Sequence, residues 1–131
     1  MYEIETKTSG CVLFQYWYSD LDVRDYVYIN WEKKGCSSFV GKIGGKQLLN
    51  LEAPHCFSNR NIIVHELLHV LGFHHEQSRW DRDEYVGINW WNIEDGRDYN
   101  FDKYYTVDYG VPYDYNSIMH YKANAFAKDR S

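Results

Sequence analysis

Two histidines four residues apart, with a glutamate beside the first, stand in His65-Glu66-Leu67-Leu68-His69, the pattern H-E-x-x-H. On a helix, residues i and i+4 share a face, so both imidazoles turn toward one point. Two neutral ring nitrogens there are ligands for zinc, at roughly 2.0–2.1 Å each. Glu66 lies one residue on, about 100° further round the helix. A carboxylate in that place sits beside the metal rather than on it, where it accepts a proton from an activated water. A catalytic zinc takes three protein ligands and keeps one open position. Gly72 can take the left-handed conformation that ends a helix, and the chain then swings back to bring His75 to the metal, with His74 facing away. The bland alternative is a helix carrying core histidines, the ordinary reading of a lone histidine. Five fixed positions (His65, Glu66, His69, Gly72, His75) weigh against it. Their chance occurrence in a chain of this length is on the order of 10⁻⁴ to 10⁻⁵.

The elements that must position these residues are legible in outline. Residues 12–17, 26–31, 38–40 and 47–51 are β-branched, aromatic or apolar and predict strands, the last closed by Pro54. A glycine-rich stretch runs from Gly35 through Gly41 to Gly45. Ser58, Asn59 and Asn61 offer a helix N-cap. Residues 62–71 hold no breaker, are apolar on most sides and stop at Gly72, which predicts a buried helix. Beyond Glu76 the chain is polar and irregular, with at most a short helix after Val111. Strands, one buried helix and a loop-rich half make an α+β class, without the alternation of a doubly wound sheet.

Composition narrows the function classes. A chain of 131 residues with 44% hydrophobic and 25% charged residues is one folded domain. A net charge of -5 recommends neither nucleic acid nor an anionic membrane as partner. No apolar run approaches the roughly 18 residues of a membrane span. The first residues, from Met1 to Lys7, are polar and lack the apolar core of a signal peptide. Aromatic residues reach 18%, which suits strands, cores and clefts alike and selects no function. Three cysteines, Cys11, Cys36 and Cys56, leave one over if two bridge. The odd thiol is free, linked to another chain, or lacks its partner in this segment.

H-E-x-x-H-x-x-G-x-x-H is the metzincin zinc-protease signature, and that clan also carries a methionine turn, supplied here by Ser117-Ile118-Met119-His120-Tyr121. The sequence closely resembles one metzincin family, the astacins. H-E-L-L-H-V-L-G-F-H-H-E over 65–76 is similar to the astacin zinc segment, and Arg79-Trp80-Asp81-Arg82-Asp83 to its R-x-D-R-D continuation. Asn100-Phe101-Asp102-Lys103, Tyr113-Asp114-Tyr115-Asn116 and the glycine-rich 35–45 stretch also fit, so the resemblance covers 11–128.

The resemblance implies one zinc per domain on His65, His69 and His75, and Glu66 as general base and then acid to the leaving amine. It implies Met119 as an apolar floor under the metal. Tyr121 becomes an additional, weak ligand whose phenol leaves to bind the oxyanion. It implies a disulfide between Cys36 and Cys56, and for Cys11 a partner beyond Ser131. Glu76 takes the position that pairs with the mature N-terminal amine, which here would leave it without its cation. The expected fold is a metzincin-type domain, a twisted mixed sheet over the zinc helix. Residues 1–131 would be part of it, truncated at both ends, with the end of a first helix near 1–8. The expected function is a secreted zinc-dependent endopeptidase using zinc-activated water, with a protein or peptide substrate laid along an edge strand near 37–41. The alternative is an inactive fragment that binds zinc or a partner without hydrolysis.

Overall fold

The structure, a computed structural model, describes residues 1–18, 22–32 and 34–129. The chain divides into two compact units, Met1–Phe73 and His74–Ser131.

The first unit opens with a short helix α1, Tyr2–Lys7, with Glu3 and Glu5 in its first turn and Lys7 in its last, the charge order its dipole favours. Three strands follow: β1 (Tyr26–Asn30), β2 (Cys36–Ser38) and β3 (Lys46–Leu51). They form one mixed sheet in the order β1-β3-β2. β1 runs parallel to β3 with Tyr26 opposite Lys46 and Asn30 opposite Asn50. β2 runs antiparallel to β3 with Cys36 opposite Leu51 and Ser38 opposite Leu49. The central strand is the buried one: Gln47, Leu49, Asn50 and Leu51 are all enclosed.

A second helix α2, Arg60–Val70, packs against β2 and β3. Asn59 caps it, its side chain accepting from the Asn61 amide at 2.9 Å. Leu67 of α2 joins Ile4 of α1, Leu49 and Leu51 of β3 and Cys56 in the core of this unit. Cys36 and Cys56 form a disulfide with Cα atoms 5.9 Å apart. It ties β2 to the 3-10 turn His55–Phe57 that leads into α2.

Three sequence expectations are corrected here. Residues 12–17 form no strand: the Val12 amide donates to the Thr8 hydroxyl at 3.2 Å and the Phe14 amide to the Glu5 carboxylate at 2.8 Å. Side chains at the end of α1 take the donors that a ladder would need. The short strand expected at 38–40 lies at Cys36–Ser38 instead. Past Ser38 the chain turns away from β3: the Gly41 amide donates to the His69 carbonyl at 2.8 Å, and the Gln47 side chain holds the Gly41 carbonyl at 3.0 Å. α2 is less enclosed than its apolar composition suggests. Only Glu66, Leu67 and His69 are buried, and its other apolar residues are half-buried.

The second unit has, among its described residues, no α-helix and no ladder beyond one bridge, Ile93 with Ala127. Four 3-10 turns stand in their place, at Glu76–Ser78, Arg82–Glu84, Trp90–Asn92 and Asp98–Phe101. Ile93, Phe101, Tyr113, Met119 and Ala127 are its buried apolar residues. Backbone groups left over by so little regular structure are met by side chains. Buried Arg82 donates through Nη1 to the carbonyls of Gln77 (2.8 Å) and Phe101 (2.9 Å) and pairs through Nε with Asp83. The Asp114 amide donates to Glu76 Oε1 at 3.0 Å.

Candidate metal and catalytic site

α2 places His65 and His69 one turn apart, with their Nε2 atoms 3.1 Å from each other and their rings edge-on at 86°. A tetrahedral ion with ligand bonds of about 2.05 Å has ligands about 3.3 Å apart, so two ring nitrogens at this separation can reach one ion. His69 is buried, and its Nδ1 lies 2.8 Å from the Phe73 carbonyl. A carbonyl only accepts, so Nδ1 carries the proton and Nε2 keeps its lone pair for a metal. That carbonyl is where it is because α2 ends locally. The Phe73 amide donates to the Leu68 carbonyl at 3.0 Å and Gly72 adopts φ +99°. A side chain at Gly72 would be strained by the backbone rather than by crowding, since a Cβ would meet nothing nearer than the Gly41 Cα at 3.9 Å.

His75, the third histidine of the motif, opens the second unit's first 3-10 turn, half-buried and with extended backbone. His74 is turned to another neighbour, stacked on the Tyr104 ring at 4.2 Å, and burial lowers its pKa. Glu66 is almost fully enclosed on α2, and the loss of water around its carboxyl pushes it up to about 7. A carboxyl held in that range is poised to take and return a proton near neutrality.

In the second unit the Tyr121 ring lies against that of His75, centroids 4.5 Å apart, with Phe101 at 5.9 Å and Phe126 at 5.6 Å around it. Burial raises the Tyr121 phenol above its ordinary value, with nearby Tyr99 and Tyr104 adding to the effect. Met119 is buried two residues earlier, in a turn tightened by its amide donating to the Ser117 hydroxyl at 3.1 Å. The Met119 carbonyl accepts from the Glu76 amide at 2.9 Å, which fastens the methionine turn to the residue after His75.

Glu76 is not left without a cation, contrary to the expectation from sequence. Arg79, three residues on, donates to its Oε1 at 3.1 Å and grips Asp81 with two bonds of 3.0 and 2.9 Å. The spacing of these residues was visible, and i to i+3 contact within a turn is its ordinary consequence. Two features had no sequence signal. One is the Phe73 carbonyl behind His69. The other is Gln77, a polar residue 2% exposed whose Oε1 accepts from the Tyr121 amide at 3.1 Å. Tyr113 and His120 pair at 2.7 Å, and burial first, then the Glu76 charge, pushes the Tyr113 phenol up to about 12.

Comparison with known proteins agrees with the sequence resemblance. The sequence profile of Astacin, a peptidase family, matches residues 1–131. The chain is 49% identical over 129 residues to zinc metalloproteinase nas-14 of Caenorhabditis elegans, a match covering 95% of this chain and 25% of that protein. It is 50% identical over 104 residues to the low choriolytic enzyme of Oryzias latipes, covering 79% and 38% respectively. Among solved structures it superposes on high choriolytic enzyme 1, a hatching enzyme zinc-protease from the same fish, with a TM-score of 0.77 at 45% identity. That superposition covers 84% of this chain and 54% of the other. The chain thus spans only part of the length of the relatives it matches.

Proposed function

The chain belongs to the astacin family, and from that membership we propose that it is a zinc-dependent endopeptidase, hydrolysing peptide bonds in protein or peptide substrates. The observation that carries this reading is the pair His65 and His69 on α2, Nε2 atoms 3.1 Å apart, with buried Glu66 on the same helix and His75 following at the motif's spacing. The donor set fits zinc: three imidazoles, one with its outer nitrogen fixed by a carbonyl, so that the inner one is a ready ligand. We read residues 1–131 as part of one peptidase domain of that family, holding one zinc. The disulfide suits an oxidising, extracellular setting.

Zinc, when bound by His65, His69 and His75, supplies Lewis acidity to a water and to the scissile carbonyl. Glu66 takes the water's proton and passes it to the leaving amide nitrogen, so one carboxyl serves as base and then as acid. Tyr121 donates its phenol hydrogen to the oxyanion of the attacked carbonyl, and the burial that keeps the phenol protonated keeps it a donor. With zinc bound it would also be a weak additional ligand. Met119, buried in the turn before Tyr121, would be the apolar floor that the family resemblance implies. Glu76 occupies the position where the family pairs a mature N-terminal amine, here already bonded to Arg79. Substrate lies extended along β2, which is an edge of the sheet with Ser37 exposed.

A casein zymogram of the zinc-loaded chain, with and without chelator, tests the reading. Chelator-sensitive clearing supports it. One bound zinc without clearing would make the chain a binding module instead.

A further inference from the structure

Tyr121 stands in a stretch with no strand or helix to hold it, yet its ring packs closely on His75, Phe101 and Phe126. Two bonds tie its turn to the residues after His75. The Glu76 amide reaches the Met119 carbonyl at 2.9 Å, and the Tyr121 amide reaches Gln77 Oε1 at 3.1 Å. In a strand pair both bonds would be backbone to backbone; here a side chain supplies the second. Gln77 is itself immobilised. It is 2% exposed, sits in the 3-10 turn Glu76–Ser78, and its carbonyl accepts from Arg82 Nη1 at 2.8 Å. Its Nε2 is buried with no hydrogen-bond partner among the described residues. The side chain therefore keeps a buried amide for the sake of one acceptor oxygen, at a cost an apolar residue would avoid.

We propose that Gln77 is a positioning residue for Tyr121: its side-chain oxygen, holding the Tyr121 amide, fixes where the phenol stands against His75. This rests on the reading of Tyr121 as oxyanion donor for its catalytic consequence, but not for its geometry. A donor displaced by even a fraction of an ångström serves the transition state less while binding substrate almost as well, so the signature is a fall in kcat rather than a rise in KM.

The test compares Gln77→Met, which keeps length and removes the acceptor, with Gln77→Glu. The Glu variant keeps an acceptor oxygen and, since Nε2 bonds nothing among the described residues, breaks no other bond; it is read below about pH 5, where a carboxyl so enclosed is neutral. Both are made in the full 131-residue chain and again in a Tyr121→Phe background. In the metal-free protein, NMR reads the hydrogen exchange of the Tyr121 amide and the cross-relaxation between the Tyr121 and His75 rings. Gln77→Met should speed that exchange about 10-fold or more and weaken the ring contact, with Gln77→Glu close to the parent. In the zinc-loaded protein, Gln77→Met should keep one zinc, lower kcat about 10-fold with KM within about 3-fold, and add less than about 2-fold once Tyr121 is Phe. An unchanged ring contact in Gln77→Met overturns the proposal, and so does an equal kcat loss in both backgrounds. A parent chain that binds no zinc or hydrolyses nothing counts against the endopeptidase reading. In that case the amide exchange and ring contact alone decide the role of Gln77.

Discussion

Replacing Glu66 by Gln separates the chemistry of this site from its cost to the fold. Burial lifts the Glu66 carboxyl from 4.5 to about 7. At ~1.36 kcal/mol per pKa unit, that displacement corresponds to about 3 kcal/mol between charged and neutral forms. The sign follows from linkage. The folded pKa is above the unfolded one, so the contribution of Glu66 to stability is fully present below about 4.5 and lost as pH rises through about 7. A Gln at the same place does not titrate. In chelator-treated protein, the stability of Glu66→Gln relative to the parent should therefore rise from pH 4 to pH 8 by about 3 kcal/mol, with most of the change between 4.5 and 7. Urea unfolding at a series of pH values measures this, and the pH slope is diagnostic even if the new amide adds a constant offset. With zinc restored, the ion's charge favours the carboxylate and the pH-dependent difference should shrink. Turnover of a peptide substrate by the zinc-loaded variant should fall about 10²–10⁴-fold with zinc stoichiometry kept. A flat stability difference across that pH range would refute the enclosed, desolvated carboxyl, and retained turnover would refute its proton-transfer role.

Three further outcomes follow from the geometry. Tyr121→Phe should leave zinc content unchanged and lower kcat about 10²–10³-fold with less effect on KM; an unaltered kcat would reduce Tyr121 to a ring packed on His75 and Phe126. Replacing Cys36 and Cys56 together by Ala should lower stability by about 3 kcal/mol in urea unfolding, since the bridge closes residues 20 apart in sequence, and an unchanged midpoint would refute it. Gly72→Ala should cost about 1–2 kcal/mol and weaken zinc binding, because φ of +99° opposes any Cβ and the Phe73 carbonyl that orients His69 lies just beyond; calorimetric zinc titration that shows parent affinity would count against this coupling.

How far the fold could be read from residues depended on where each segment's backbone bonds go. α2 was legible because its signals are local: Asn59 caps it, Gly72 ends it, and nothing within breaks it. β1 and β3 were legible because their apolar and β-branched residues serve a ladder in register. Residues 12–17 have the same composition, but Thr8 and Glu5 take the amides of Val12 and Phe14, and no strand rule contains that information. The place of β2 was displaced by two residues for a related reason: Gln47 and the Gly41 contact with His69 pull the chain off the sheet. At the site, residue identities were readable from the spacing of His65, Glu66, His69, Gly72 and His75. The bonds that orient them, from the Phe73 carbonyl and Gln77, depend on turns that spacing does not encode.

The second unit shows what replaces secondary structure when a segment must hold functional side chains with little of it. Its backbone bonds are mostly local turns, and a few polar side chains gather amides and carbonyls from distant segments where a ladder would otherwise do so. Arg82 collects the Gln77 and Phe101 carbonyls, Glu76 collects the Asp114 amide and Arg79, and Gln77 collects the Tyr121 amide. Such centres act over long stretches of sequence: Gln77 and Tyr121 are 44 residues apart, Glu76 and Asp114 are 38 apart. Arg82 is a single point of failure, because removing it leaves the buried Gln77 and Phe101 carbonyls without that donor at once. A ladder would spread that loss over several bonds. Glu76, Arg79, Asp81 and Arg82, soon after His75, therefore direct their charges to backbone and to one another, and Glu76 and Gln77 hold the turn carrying Met119 and Tyr121.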